Sequence, residues 1–316
     1  MTQRREEIVP VYLVTGFLES GKTSLIHSML EDDSFSRGQK TLILSCEEGE
    51  VPYDTDLLNE QNTVVVSFEE PEEMTAQRLV ELQREHNPER IIMEYNSVWG
   101  VEPLAKTPMP MRWRMVQVIN MVDATTFDNY MTNMRKLLTD TMKEADLVLF
   151  NRCEPGDGKS GWRRQVRALN PRCNIIFENY DGTTEDGVAD EDLPYDMKAD
   201  IITIPEEDLG TFYIDSMDHP GRYDGKTVRF TGQYFPDQGL PQGYGLIGRL
   251  AMTCCADDIA RVGWICQYKK MYGASVFVRL TAKCRVMDNG GQEMLMLEEI
   301  DSEKGMKPKE PYMTFN

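Results

Sequence analysis

Seven short apolar runs punctuate the first half of the chain: "VPVYLVT", "TLILSC", "TVVVSF", "RIIMEY", "MVQVINMVD", "DLVLFN" and "NIIF". They are rich in Val, Ile and Leu and lack strict polar alternation, which is how strands buried on both faces of a mostly parallel sheet read. Between them lie amphipathic stretches such as "EEPEEMTAQRLVELQREHNPER", opening with Glu and Pro as crossover helices do. This pattern predicts an α/β domain over residues 1–180.

Further along, the period shortens. "KTVRFTGQYF", "GYGLIGRLAMTCC", "RVGWICQYKK", "ASVFVRLTAKCRV" and "EMLMLEEI" alternate in polarity and are separated by Gly, Pro and Asp. Five such strands behind a helix-like "EEDLGTFYIDSM" predict a small all-β barrel of oligonucleotide/oligosaccharide-binding type over residues 200–302. Residues 181–199 are acidic and poor in large apolar side chains, so a linker is expected there, and residues 303–316 are expected to be a flexible tail.

Charge sharpens this division. The 316 residues carry a net charge of -19, which disfavours nucleic acid and anionic membranes as partners. From Glu178 to Asp218 there are 14 acidic residues against one lysine, whereas Arg222 to Arg285 holds 10 basic and 4 acidic ones. A basic barrel bearing Tyr223, Phe230, Tyr234, Tyr244, Trp264 and Tyr268 is compatible with single-stranded nucleic acid. The tethered acidic segment would compete for the same face, so internal docking or a protein partner is expected first. No apolar run approaches the ~20 residues of a membrane span, and a cytoplasmic protein without membrane insertion is expected. Seven cysteines, with Cys254 and Cys255 adjacent, suggest reduced thiols or metal ligands, not a disulfide framework. His27, His86 and His219 stand apart in sequence and read as surface or helix residues, not ligands.

The chemistry concentrates in "YLVTGFLESGKTSLIHSML", where a β-branched run stops at a glycine and a helical pattern follows. Between them stands G-x-x-x-x-G-K-T. Gly16 and Gly21 let the backbone curl so that successive N–H groups converge at the positive end of the next helix, a geometry suited to phosphate. Lys22 would reach the terminal phosphates and Thr23 would offer its hydroxyl to Mg²⁺. Fold and loop together predict a P-loop NTPase.

Other stretches match in order the CobW-type P-loop GTPases of metal homeostasis. "GFLESGKTS" resembles that family's GFLGAGKTT and "CEEGEVPYD" its NEFGEVGID. "IIMEYN" resembles its acidic Walker B strand, "VINMVDATTF" its VVDA segment, "EADLVLFNRCE" its AD-x-x-x-x-NK-x-D, and "RALNPRCNIIF" its LNP-x-A-x-I. The resemblance spans about residues 8–178. It implies a GTPase with GTP/GDP and Mg²⁺ as ligands and a slow intrinsic rate. Gly16, Glu19, Ser20, Gly21, Lys22, Thr23 and Ser24 would form the phosphate loop, with Asn151, Arg152 and Glu154 facing the base. Lys22, Glu94 and Glu47 are the implied catalytic set, and Thr23 with Glu47 the implied metal ligands. Three departures stand out. Glu19 replaces a small residue and is expected to face solvent. Arg152 and Glu154 replace the lysine and aspartate of the guanine motif. The family's Cys-x-Cys-Cys is absent, "VVVSFEEPEE" standing in its place.

"YDGKTVRFTGQYF" followed by "GLIGRLAMTCCADDIARVGWICQY" resembles the soluble C-terminal domain of YcgQ-type proteins. That likeness implies a permease-type partner or a metalloprotein client and a link to zinc supply. Cys254 and Cys255, with Cys266 or Cys284, could hold Zn²⁺ if a turn at "ADD" brings the adjacent pair together. The alternative is cysteine filling a small core. The leading expectation is therefore a GTPase switch acting on a metal-transport partner, with a homodimer left open. The alternatives are a non-hydrolysing nucleotide- or metal-binding regulatory module and a nucleotide-controlled nucleic-acid-binding barrel.

Overall fold

A computed structural model describes residues 8–36, 38–47, 49, 51–185, 193–235, 239–252, 259–270, 272–273, 276–288, 290–291, 293–310 and 312–315. The chain divides into two compact units, 1–157 with 170–187, and 158–169 with 188–316.

All seven apolar runs of the first half are strands: β1 (Val9–Gly16), β2 (Thr41–Ser45), β3 (Thr63–Ser67), β4 (Arg90–Glu94), β5 (Trp113–Asp123), β6 (Leu147–Cys153) and β7 (Asn174–Asn179). A short β8 (Thr184–Glu185) closes the edge, giving the order β3-β2-β4-β1-β5-β6-β7-β8, with β7 and β8 antiparallel and the other pairs parallel. Both faces of the central strands are covered, so β2 and β4 are buried at every position, as the unalternating apolar runs require. Helices between the strands are α1 (Lys22–Glu31), α2 (Asp33–Ser36), α3 (Thr55–Glu60), α4 (Ala76–His86), α5 (Glu102–Lys106), α6 (Phe127–Asn133), α7 (Arg135–Lys143) and α8 (Lys159–Leu169). Helix α4 starts later than Glu69 and Pro71 suggest. Thr75 caps it by accepting from the Arg78 N–H, while Pro71–Glu73 form a separate 3₁₀ turn. Asn87 in the left-handed conformation, followed by Pro88, ends it.

Strand register gathers distant residues at one edge. Val14 on β1 and Ser45 on β2 both pair with the β4 end at Glu94, and Asp123 on β5 pairs with Asn151 on β6. The carboxyl ends of five adjacent strands therefore deliver Gly16, Ser45, Glu94, Asp123 and Asn151 to one edge of the sheet.

In the second unit, α9 (Leu209–Asp218) precedes five strands, β10 (Thr227–Phe235), β11 (Tyr244–Met252), β12 (Ile259–Gln267), β13 (Phe277–Asp288) and β14 (Glu293–Lys304). Their pairing closes on itself: β10–β11–β12–β14–β13 and back to β10, with β12 and β14 parallel. A short β9 (Ile202–Thr203) adds to β10. Tight curvature depends on Gly248 and Gly263, which face each other on β11 and β12. A Cβ on Gly248 would lie 1.9 Å from the Val262 carbonyl oxygen. Trp264 Nε1–H donates to Ser216 Oγ at 2.8 Å, fastening α9 over the barrel core of Phe212, Phe230 and Trp264.

Three boundary expectations change. Helix α8 (Lys159–Leu169) groups with the second unit and not with residues 1–180. Part of the acidic 181–199 stretch is structured, because Tyr195 is buried in the second core with its hydroxyl 2.8 Å from that of Tyr223. The C-terminal segment is packed, not a loose tail. β14 runs to Lys304, Met313 N–H donates to Leu250 O at 2.8 Å, and Met313 and Phe315 are buried. A few large apolar side chains, spaced too widely to form a periodic signal, are enough to anchor each segment.

Candidate functional site

The loop after β1 takes its shape from two glycines. Gly16 has φ 146 and Gly21, at the start of α1, has φ 91. A Cβ on Gly16 would lie 2.5 Å from Met121 O, and one on Gly21 would lie 2.4 Å from Asn151 Nδ2. Gly16 N–H donates to Ser97 Oγ at 2.8 Å. Glu19 is also left-handed, φ 62, and is exposed. Helix α1 has no side-chain cap and no acidic residue in its first turn, so its positive end is not offset from within the helix.

Lys22 is almost wholly buried. Its ammonium donates to Gly16 O at 3.0 Å and Phe17 O at 2.7 Å, drawing the loop into a ring, and pairs with Glu47 Oε1 at 2.5 Å. Burial raises the Glu47 carboxyl above its usual range despite the opposing pull of Lys22, and Glu94 adds to the rise. The family resemblance implies Thr23 and Glu47 as metal ligands; in this structure the Glu47 Oε1 is on the Lys22 ammonium.

Glu94, 1% exposed, is held by hydroxyls from three segments. Thr23 Oγ1 donates to its Oε1 at 2.6 Å, and Tyr53 OH donates to its Oε2 at 2.7 Å. Ser45 Oγ lies 3.0 Å from Oε2 and 3.1 Å from Glu47 O. Burial, then Glu94, pushes the Tyr53 phenol well above its ordinary value, so it is the donor in that bond. Cys46 beside them is buried, and burial with Glu94 and Glu47 pushes its thiol up to about 12.

Asn151 Nδ2–H donates to Ser20 O at 2.8 Å. Arg152 is left-handed, φ 54, donates to Glu19 O at 2.9 Å and pairs with Asp123. The guanidinium thus ties the end of β6 to the phosphate loop. Beside them lies a cavity of ≈ 230 Å³ lined by Glu19, Gly21, Lys22, Thr23, Ser24, Glu47, Gly49, Val51, Asp123 and Arg152. Glu154 is exposed and does not line it, its backbone N–H donating to Asp157 Oδ2 at 2.6 Å. Asp123, Tyr53, Ser45 and Ser97 carry no role in the sequence reading. Asp123 and Tyr53 fall inside the motif stretches; strand register brings Asp123 to the cavity, and Tyr53, on the stretch between β2 and α3, reaches Glu94.

The loop geometry, the uncapped helix and the cationic Lys22 suit a polyphosphate. Among the described residues, the buried Ser20 Oγ, Glu47 Oε2 and Asn151 Oδ1 find no hydrogen-bond partner, consistent with a ligand-binding cleft. Zinc finds less support. Cys254 and Cys255 lie outside the described residues. Cys266 and Cys284 flank Leu297 on neighbouring strands and are fully buried, and burial pushes both thiols up to about 12, as for cysteines packed in a small core. Among the described residues no group of three or more His, Cys, Asp or Glu could hold a metal ion.

The family model for the CobW/HypB/UreG nucleotide-binding domain matches residues 10–177, more than half of the chain. The chain belongs to this family. CobW/HypB/UreG proteins are P-loop GTPases, and in this member the match covers the whole cavity just described. The family model DUF1980 C-terminal domain matches residues 180–314. No curated protein sequence matches the chain. Among solved structures, the Zn(II)-bound YjiA GTPase from E. coli aligns at 17% identity over 77% of this chain and 86% of its own, TM-score 0.43. The hydrogenase maturation factor HypB from Archaeoglobus fulgidus aligns at 17% identity over 55% and 82%, TM-score 0.37. No helix among the described residues is long and apolar enough to cross a membrane.

Proposed function

We propose that this CobW/HypB/UreG-family protein binds GTP with Mg²⁺ and hydrolyses it slowly, as a switch in metal homeostasis. One observation carries the reading: Lys22, Thr23 and Glu94 converge at the carboxyl ends of adjacent strands, around a loop whose glycines leave no room for a side chain. Backbone N–H groups of the loop other than those of Gly16 and Ser20, which are bonded to Ser97 Oγ and Phe17 O, would receive the phosphates together with the positive end of α1. Lys22 would exchange Glu47 for phosphate oxygen. Thr23 and Glu94 suit Mg²⁺, which when bound offsets the charge spread over the transferring phosphoryl group. Asn151 and Arg152 brace the loop, while Glu154, exposed beyond the cavity, would supply two acceptors for the guanine N1 and N2 hydrogens of a base lying outside it.

The second unit fits a protein-facing role. Its closed ring, with the third and fifth barrel strands parallel, supports the oligonucleotide/oligosaccharide-binding type. The YcgQ-like stretch supports a permease-type or metalloprotein partner in the cytoplasm. Phosphate release from GTP and from ATP, with and without Mg²⁺, tests the enzyme part. Turnover that requires Mg²⁺ and prefers GTP supports the reading, and equal use of ATP overturns the base assignment alone. The resting contacts of Lys22 with Glu47, and of Glu94 with three hydroxyls, favour the second reading of a non-hydrolysing regulatory module. Tight GTP binding without phosphate release would establish it.

A further inference from the structure

Tyr53 occupies a position that the nucleotide-binding reading leaves unexplained. It stands at the end of "CEEGEVPYD", yet its hydroxyl crosses to β4 and donates to Glu94 Oε2 at 2.7 Å. The same stretch carries Glu47, which holds Lys22. Its ring rests edge-on against His27 of α1, centroids 5.5 Å apart, and the Asp54 N–H beside it donates to His27 Nε2 at 3.4 Å. Thus the phenol is fixed from behind by the helix that also carries Lys22 and Thr23.

The donors around Glu94 are not equivalent. Thr23 serves Oε1. Ser45 has one hydroxyl proton to divide between Glu94 Oε2 and Glu47 O. Among the described residues that leaves Tyr53 as the undivided donor to Oε2. A carboxylate can rotate about its terminal bond, a broad and soft torsion, and a fixed donor on one oxygen removes that freedom. With Oε2 anchored, Oε1 stays turned toward Thr23.

We propose that Tyr53 is the positioning residue for Glu94: by holding one carboxylate oxygen it presents the other, with Thr23, to the metal-bound nucleotide. The inference rests on the GTPase reading and assigns Tyr53 a role in it. It makes the hydroxyl a link between the Glu47 segment and the catalytic edge, because moving one end of that stretch alters the aim of Glu94.

Tyr53→Phe tests this, since it keeps the ring and its contact with His27 while removing the donor. Nucleotide affinity without metal should stay within about twofold of wild type, kcat should fall about tenfold, and Mn²⁺ should bind the protein loaded with a non-hydrolysable GTP analogue about tenfold more weakly by electron paramagnetic resonance. In a double-mutant cycle the Mn²⁺ effect should vanish in the Glu94→Gln background. Unchanged kcat and Mn²⁺ affinity in Tyr53→Phe, or an undiminished loss with Glu94→Gln, overturns the proposal. If Tyr53→Phe melts early or is misfolded, Ser45→Ala, which removes the weaker donor to the same oxygen, should weaken Mn²⁺ binding in the same direction by less; no change there also overturns it. Wild type that binds analogue and Mn²⁺ but releases no phosphate would remove the hydrolytic reading, while the Mn²⁺ comparison still decides the role of Tyr53.

Discussion

Replacing Glu47 by glutamine should tighten nucleotide binding. In the free protein the Glu47 carboxylate lies 2.5 Å from the Lys22 ammonium, their side chains 7% and 1% exposed. A polyphosphate must break that pair before it can use the lysine. Glutamine turns an ion pair between two buried charges into a hydrogen bond with one charged partner, and charge-assisted bonds run to about 1.5–3 kcal/mol, so the competing contact weakens by roughly 1 kcal/mol. Removing a like charge from the phosphate cradle adds to this. Since each 1.4 kcal/mol is tenfold, GDP affinity without metal should rise about tenfold. Lys22 keeps the Gly16 and Phe17 carbonyls in the variant, so the loop should hold its shape. Calorimetric titration of GDP into wild type and Glu47→Gln, in EDTA, reads the effect directly. Equal or weaker binding by the variant would refute the view of Glu47 as an internal competitor for the lysine.

Other perturbations are equally specific. Gly21→Ala forces a left-handed φ of 91 and a methyl 2.4 Å from Asn151 Nδ2, so it should lower stability by about 1–3 kcal/mol in urea unfolding and abolish nucleotide binding. Arg152→Ala removes the pair with Asp123 and the bond to Glu19 O, and should weaken GTP binding about tenfold while leaving the melting temperature within a few degrees. Cys266 and Cys284 hold their protons to about 12 when folded against an ordinary thiol value of 9.0, so the unfolded state loses protons first as pH rises. Their contribution is complete below pH 9 and lost toward 12, at up to about 1.4 kcal/mol per pH unit for each thiol, and denaturant titrations from pH 8 to 11 should show it.

The parallel sheet was legible because doubly buried strands leave unalternating apolar runs, and β1 to β7 each sit on one. The phosphate loop was legible because its shape depends on two glycines at fixed spacing. What escaped depends on tertiary placement. Ser45 reaches Glu94 because β2 and β4 align at their carboxyl ends, Tyr53 reaches it from the stretch after β2, and no spacing in the sequence encodes either contact. The contact of Glu47 with the buried Lys22 was likewise unmarked in the sequence, because it too arises only in the fold. The barrel and its five strands were visible from alternation, whereas the close approach of β11 and β12 rests on Gly248 and Gly263, whose lack of a side chain gives no periodic mark. Met313 and Phe315 were misplaced for the same reason, since two anchors suffice to pack a segment that composition alone reads as loose.

A GTPase of this design requires that the Gly16–Thr23 backbone hold a polyphosphate. Titrating a fluorescent GTP analogue into wild type and Lys22→Ala tests it most directly. Saturable binding by wild type that Lys22→Ala weakens at least about a hundredfold is the expected result. No saturable binding by wild type, or the same Kd for both proteins, would contradict it.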